Sequence, residues 1–402
     1  MTSTSASPPA PLAGVTVADF SRVLTGPFCT LLLADMGARV IKIEQPGRGD
    51  ETRSWGPPFV GGESAYFLSV NRNKESLALD LKHPRAAAVV ERLLARADVL
   101  VENFRPGAAA RLGLAYEALA ARHPRLVYCS ISGFGQTGPR RSEPGYDAVI
   151  QAEGGLMAVT GPEEGPGYRL GVAISDLTAG MYAAFGIVLA LLARERTGRG
   201  QLVDVGMLDA TVSLLTYQAG IHFAGGRPRP LGNRHPTIAP YDTFPAADGE
   251  IVIAVGNDEQ WRRLCAVAGI ETLGLDPRFA TNPDRVRRYA ELRPLLEAVF
   301  RRRPRADWIA RLRDAGVPCG AVRSVAEALA DAQLAAREMI VTLAHPTAGA
   351  VRTLGVPVKL SHSPGAVRTA PPRLGEHTDR ILAELGFGEP ARTELRRAGV
   401  VA

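Results

Sequence analysis

The chain has 402 residues, 46% of them hydrophobic and 22% charged. That balance supports large buried cores, fits two domains and excludes global disorder. The net charge of +6 raises polyanionic ligands, but the basic residues are mostly Arg, scattered, with no run longer than Arg301-Arg302-Arg303; a phosphate-bearing small molecule explains the excess, and nucleic acid is not expected as a partner.

Residues 1–11 are mostly Ser, Thr, Ala and Pro, with no basic residue, and read as a disordered tail rather than a targeting peptide. Val15–Phe20 reads as a strand, Pro27–Met36 as a helix ending near Gly37, and Val40–Glu44 as a second strand. This unit implies a parallel pair with a right-handed crossover. Strands at Ser76–Leu81, Val99–Glu102 and Leu126–Ser132 alternate with helices at Pro84–Ala97, Ala108–Leu112 and Tyr116–Arg122. The alternation predicts an α/β fold with a doubly wound open sheet. An apolar, strand-like run, Gly171–Ile174, then stops at Ser175-Asp176, and a long apolar helix begins at Leu177. Leu177–Ala193 carries no charge over 17 residues. This is at the lower limit for a membrane span, so a helix buried on all sides, within the protein or a dimer, is the expectation, with no membrane as partner.

Thr197-Gly198-Arg199-Gly200 ends that helix. A strand at Gln201–Val205 and a helix at Met207–Gly220 follow, and the Gly/Pro/Arg-rich Ala224–Asn233 reads as a linker. Ile251–Val255, Asp258–Ala268, Leu292–Phe300 and Ala306–Ala315 predict a smaller α+β unit. Leu343–Pro372 holds strands and many prolines, and Thr378–Leu385 is read as a final helix. The four cysteines, Cys29, Cys129, Cys265 and Cys319, are far apart in apolar contexts and read as buried free thiols of a reducing cytoplasm.

Several chemistries are disfavoured. The first strand–helix loop, Ser21-Arg22-Val23-Leu24-Thr25-Gly26-Pro27, has one glycine and no Gly-x-Gly-x-x-Gly, so it does not read as a dinucleotide site. No Gly-x-x-x-x-Gly-Lys run, metal-ligand spacing or Gly-x-Ser-x-Gly elbow is present. What stands out is Asp176, a lone carboxylate between two apolar elements, which is costly unless hydrogen-bonded or used. An N-cap of a helix starting at Leu177 would explain an Asp there. So would a nucleophile, whose charge a helix N-terminus would steady.

Motifs along the chain jointly carry a resemblance. They are Asp19-Phe20-Ser21-Arg22-Val23-Leu24-Thr25-Gly26-Pro27, Val40-Ile41-Lys42-Ile43-Glu44 with Gly49-Asp50-Glu51-Thr52-Arg53, and Asn73-Lys74-Glu75-Ser76-Leu77-Ala78-Leu79-Asp80. Further on come Ala97–Gly107, Gly145-Tyr146-Asp147 with Gln151-Ala152, Thr197–Gln201, Ala315–Gly320 and Leu374-Gly375-Glu376-His377-Thr378. In this order, from about residue 11 to about 388, the chain resembles the class III CoA-transferase family of CaiB/BaiF type, which includes formyl-CoA, carnitine and succinyl-CoA transferases and is related to the α-methylacyl-CoA racemases. The resemblance implies a large Rossmann-like domain formed by both chain ends, 12–223 and 331–402. The linker and a small domain, 224–330, lie between them, and two such chains interlock as a homodimer.

It also implies CoA transfer from an acyl-CoA, succinyl-CoA among the candidates, to a carboxylic acid. Asp176 would be the nucleophile, passing through a mixed anhydride and an aspartyl-CoA thioester. CoA is then a substrate, with no permanently bound cofactor and no metal. Asp147, 29 positions before Asp176, would orient groups at the site. The racemases have His where this chain has Tyr146, and a neutral phenol is a poor base, which argues against racemase activity. The CoA site would comprise Val23, Leu79, Lys82, Asn103, Phe104, Ala108, Arg111 and Leu112, with Lys82 and Arg111 at phosphates and Leu79 and Phe104 flanking adenine or pantetheine. Formyl-CoA transferases have Gln at the place of Leu24 and Arg at that of Gln45; the first departure weighs against formate or oxalate, and the second removes a nucleotide contact for which Arg48 is the replacement cation. Arg169, Arg234 and His235 are candidates for a distal carboxylate of the substrate, and Glu259 reads as a surface acid. The alternatives are a racemase-type isomerase and a non-catalytic CoA-binding protein.

Overall fold

A computed structural model describes residues 9–402, so the expected tail lies outside the described residues as far as residue 8. From Leu12 the chain is tied down: its N–H donates to Met36 O (2.9 Å). The chain divides into two compact units. One joins the residues up to Leu156 with Leu170–Thr216 and Ala332–Ala402; the other joins Met157–Arg169 with Tyr217–Asp331.

The first unit is built on six parallel strands. Across the sheet they run Lys74–Ala78, Arg39–Glu44, Thr16–Asp19, Val99–Glu102, Val127–Ser132 and Leu202–Gly206. In chain order that is 3-2-1-4-5-6, the doubly wound order, with its reversal between Thr16–Asp19 and Val99–Glu102. Val17, Val40, Ile41, Val99, Leu100, Val101 and Val127 are at most 2% exposed, as continuous apolar strands covered on both faces must be. The outermost strand, Lys74–Ala78, is closed by the chain's return. Ser76 O accepts from His377 N–H (3.1 Å), Ser76 N–H donates to His377 Nδ1 (3.2 Å), and Ala78 N–H donates to Thr378 Oγ1 (3.0 Å). The Gly375-Glu376-His377-Thr378 motif therefore seals a sheet edge.

Four expectations need correction. The Gly171–Ile174 run pairs with no strand, and the long helix begins there, at Ile174–Thr197. The Met207–Gly220 helix breaks in two, Met207–Ser213 and Thr216–Phe223. Thr378–Glu384 is followed by a further helix, Glu389–Arg397, whose Leu395 packs into the same core as Ile381 and Leu382. The apolar helix is not buried on all sides by its own chain. Ala179, Ala183, Ile187 and Ala190 face the core, while Met181, Phe185, Val188, Leu189 and Leu192 are 42–61% exposed. By length and composition it could cross a membrane; Arg194 in its last turn is buried, bonded to Asp98 (3.0 Å) and Arg125 O (3.2 Å).

The second unit holds an antiparallel sheet of Cys319–Ala321, Gly249–Ala254 and Tyr241–Ala246. Trp261, Phe244, Phe279, Phe300 and Trp308 fill its core. Buried Arg285 braces it through Ala239 O (2.7 Å), Phe279 O (3.0 Å) and Asp258 (2.7 Å). The Met157–Arg169 segment belongs here because Gly161 O accepts from Gly232 N–H (2.8 Å) and Glu163 pairs with Arg229 (2.7 Å), long-range contacts with no local signature.

Candidate active site

The sheet reversal opens a crevice at the carboxyl ends of Thr16–Asp19 and Val99–Glu102. The loop leaving the first strand is held from below by buried charges. Lys42 Nζ pairs with Asp50 (2.8 Å) and donates to Ser21 O (2.8 Å). Lys74 Nζ pairs with Asp19 (3.4 Å) and donates to Pro27 O (2.8 Å). Burial alone would raise the Asp50 carboxyl, but Lys42 and the Thr52 donors outweigh it and hold it at about 2. Burial lowers the Lys74 ammonium to about 8, with Asp19 opposing.

This frame fixes an unusual backbone. Val23 has φ +68°, a left-handed conformation that β-branched residues avoid and that costs about 1–3 kcal/mol. Asp50 accepts from its N–H (3.2 Å). Asn103 grips the preceding residue at both ends, accepting from Arg22 N–H (2.9 Å) and donating to Arg22 O (2.7 Å). The next helix, Thr25–Asp35, then presents the Thr25 hydroxyl to Asp176 Oδ1, to which it donates.

Asp176 is the third residue of its helix and does not cap it; Ala173 occupies the N-cap. The carboxyl is half-buried, and burial raises it to about 6; the Thr25 hydrogen bond opposes the shift and the charge of Asp147 adds to it. Asp147 opens the helix Asp147–Glu153 and anchors the start of the Asp176 helix. Its Oδ1 accepts from Ser175 N–H (2.9 Å) and its Oδ2 from Gln151 Nε2 (2.7 Å). Gln151 is fully buried and its Oε1 accepts from Leu170 N–H (2.9 Å). Tyr146 is 64% exposed. Sequence reasoning missed Tyr66: burial first, then the charges of Asp176, Asp147 and Asp50, push its hydroxyl up to about 12. In the apolar stretch Ala65–Val70 it reads as a core aromatic, so nothing local marks it.

Two hollows adjoin here, sharing part of their lining. A pocket of about 130 Å³ is lined by Val23, Thr25, Asn103, Phe104, Tyr146 and Asp176. A cavity of about 1320 Å³ is lined by Leu79, Lys82, Phe104, Ala108, Arg111 and Leu112, together with Arg48. Arg22, Glu51 and Phe104 line both. Leu79 forms the buried floor, and Lys82 and Arg111 are exposed. Among the described residues, the side chains of Arg48, Lys82 and Arg111 have no carboxylate partner. Three free cations around one apolar-floored cavity suit a ligand with several phosphates and an apolar arm. No group of His, Cys, Asp and Glu among the described residues is arranged to hold a metal.

The model of CoA-transferase family III matches residues 12–378. The chain belongs to that family. It is 42% identical over 393 residues to the succinyl-CoA:glutarate CoA-transferase of Mus musculus, which spans 97% of this chain and 90% of that protein. It is 45% identical to the acetyl-CoA:oxalate CoA-transferase of Acetobacter aceti, over 96% of this chain and 98% of that one. The crystal structure of a CAIB/BAIF family protein from Brucella suis superposes with a TM-score of 0.85 at 42% identity, covering 94% of this chain and 100% of that chain. This family III member is thus an enzyme, a transferase that moves CoA between an acyl-CoA and a carboxylic acid.

The candidates for a distal carboxylate all belong to the second unit. Arg234 pairs with Glu163 (3.4 Å) and lies 5.2 Å from the Tyr289 ring. The His235 ring stacks on Tyr241 at 5.3 Å, and burial lowers its pKa. Arg169 ends the Met157–Arg169 segment. Glu259 pairs with Arg263 on the surface of the helix Asp258–Ala268.

Proposed function

We propose that this CoA-transferase works through Asp176, taking succinyl-CoA as donor and a dicarboxylic acid as acceptor. The carboxylate attacks the thioester carbonyl and expels CoA thiolate, leaving a mixed anhydride. The thiolate then attacks the aspartyl carbonyl, releasing the donor acid and forming an aspartyl-CoA thioester, and the acceptor carboxylate runs the sequence in reverse. Each step exchanges groups of similar energy, so the chemistry needs neither ATP nor a metal, but it does need water kept away from two hydrolysable intermediates. The observation that carries the reading is the half-buried Asp176 carboxyl, raised to about 6, in a small pocket that shares Arg22, Glu51 and Phe104 with the large cation-rimmed cavity. In that cavity Lys82 and Arg111, joined by Arg48, pair with the CoA phosphates. Leu79, Phe104, Ala108 and Leu112 flank its apolar parts, and Val23 and Asn103 shape the thioester end. Asp147 orients the Asp176 helix.

The acceptor reading rests on the dicarboxylate named for the mouse relative; the Acetobacter relative names oxalate, which the Leu24 departure had weighed against, so oxalate belongs in the test. The test is mass spectrometry of the enzyme mixed with an acyl-CoA panel and trapped with hydroxylamine or borohydride. A modified peptide containing Asp176, strongest with succinyl-CoA, is the expected result; modification elsewhere, or none, overturns it.

Two features of setting are proposed with it. The apolar stripe Met181, Phe185, Val188, Leu189 and Leu192 is covered by a second copy of the chain in an interlocked homodimer. Three buried thiols and the half-buried Cys319, all unpaired, fit a reducing cytoplasm.

A further inference from the structure

Thr25 is 4% exposed and opens its helix. Its hydroxyl donates to Asp176 Oδ1 and has no second partner among the described residues; Asp176 Oδ2 accepts no hydrogen bond there at all. The two helices carrying the pair meet closely, since a Cβ on Gly180 would lie 2.7 Å from the Thr25 carbonyl oxygen. Upstream, Asp50 and Asn103 fix Val23 and Arg22, and downstream Lys74 holds Pro27 O. The hydroxyl is therefore held in place and aimed at one carboxylate oxygen only.

We propose that Thr25 gives the two oxygens of Asp176 separate tasks: Oδ1 stays bound to the hydroxyl throughout the cycle, and only the other position makes and breaks bonds. This deepens the Asp176 reading above and rests on it. Oδ2 attacks the thioester carbon, the carbon–sulfur bond breaks, and CoA leaves as thiolate. The thiolate adds to Cγ and the electron pair moves onto Oδ1, where the Thr25 hydroxyl stabilises it as an oxyanion donor. Collapse breaks the Cγ–Oδ2 bond, and Oδ2 departs as part of the donor carboxylate. The acceptor carboxylate then adds to Cγ, charge again gathers on Oδ1, and the Cγ–S bond breaks. Finally the thiolate attacks the acceptor acyl carbon and cleaves its bond to the bridging oxygen, which remains on Asp176. Each cycle thus places one acceptor oxygen in the Oδ2 position, while Oδ1 is never exchanged.

The experiment reads those oxygens. Wild type, Thr25→Ser and Thr25→Val are turned over many times with succinyl-CoA and excess glutarate carrying ¹⁸O in both carboxyl groups, then digested, and the Asp176 peptide is weighed. Wild type and Thr25→Ser should plateau at one heavy oxygen. Thr25→Val, free to rotate its carboxylate, should approach two heavy oxygens, with a kcat lower by roughly 100- to 1000-fold. Two heavy oxygens in wild type overturn the division of tasks and leave Asp176 as nucleophile, and this result needs no variant to fold. A Thr25→Val plateau at one also overturns the role of Thr25. Turnover with no heavy oxygen at Asp176, or no turnover with this pair, instead overturns the underlying reading.

Discussion

A carboxyl raised to about 6 is a compromise between nucleophilicity and burial. The same shift makes Asp176 a cost to the fold, and the sign follows from linkage. Its native pKa lies above the ordinary 3.8, so the native state binds more protons than the unfolded chain between roughly pH 4 and 6. The penalty is absent below about pH 4 and complete above about pH 6. Replacing Asp176 by Asn should therefore stabilise the protein by roughly 1–3 kcal/mol at pH 8 and by nothing at pH 4, while abolishing transfer. Urea unfolding at the two pH values checks it, with spontaneous deamidation excluded by mass. For the active enzyme, kcat/KM should fall about tenfold per pH unit below a limb near 6 as the nucleophile protonates, and a pH profile with a non-ionising acyl-CoA and saturating acceptor reads that limb. A limb near 4 would mean that burial does not govern this carboxyl.

At the scale of elements, the site is a crossing of two helix ends, and Gly180 lets them meet. A Cβ there would stand 2.7 Å from Thr25 O and 3.1 Å from Phe28 Cδ1, so Gly180→Ala must push the helices apart. The expected cost is about 1–3 kcal/mol in denaturant unfolding, with kcat falling more than KM rises because the Thr25–Asp176 contact opens while the cavity is untouched. The elements themselves were unevenly legible in the sequence. Buried parallel strands announce themselves as β-branched runs, so Val40–Glu44 and Val99–Glu102 could be read directly. Gly171-Val172-Ala173 is equally apolar but lacks any strand neighbour, which only the fold decides, and the helix start was misplaced accordingly. Glu389–Arg397 was missed because a mostly charged helix buries one residue, Leu395. Asp176 stands out as a lone carboxylate between apolar elements, but its role, like those of Asp147 and the cavity-lining candidates, came from a resemblance of ordered motifs. Thr25 lies inside one of those motifs, yet nothing there singles it out, because its significance is a hydrogen bond to Asp176 far along the chain; Tyr66 carried no mark at all, because what distinguishes it is the nearby charge of Asp176, Asp147 and Asp50.

For the whole molecule, the exposed apolar stripe on Ile174–Thr197 calls for a cover. Met181, Phe185, Val188, Leu189 and Leu192 recur at helical spacing, and each such side chain gains about 1.5–3 kcal/mol from full burial. In the proposed twofold dimer every residue counts twice, so light scattering should find a mass of twice 42.7 kDa for the wild type, and Phe185→Glu with Leu189→Glu should eliminate that species or leave the chain aggregated. A dimer of apposed faces and an interlocked one part company in exchange. Apposed subunits trade partners through a dissociated but folded monomer, so tagged and untagged dimers form hybrids at a rate set by the interface alone. Interlocked rings must first open at least one chain, so hybrids should be absent after hours in buffer and appear only after denaturation and refolding together. Hybrid formation in buffer at a rate faster than global unfolding, measured by native mass spectrometry, would rule out the interlocked arrangement while leaving the buried stripe as the interface.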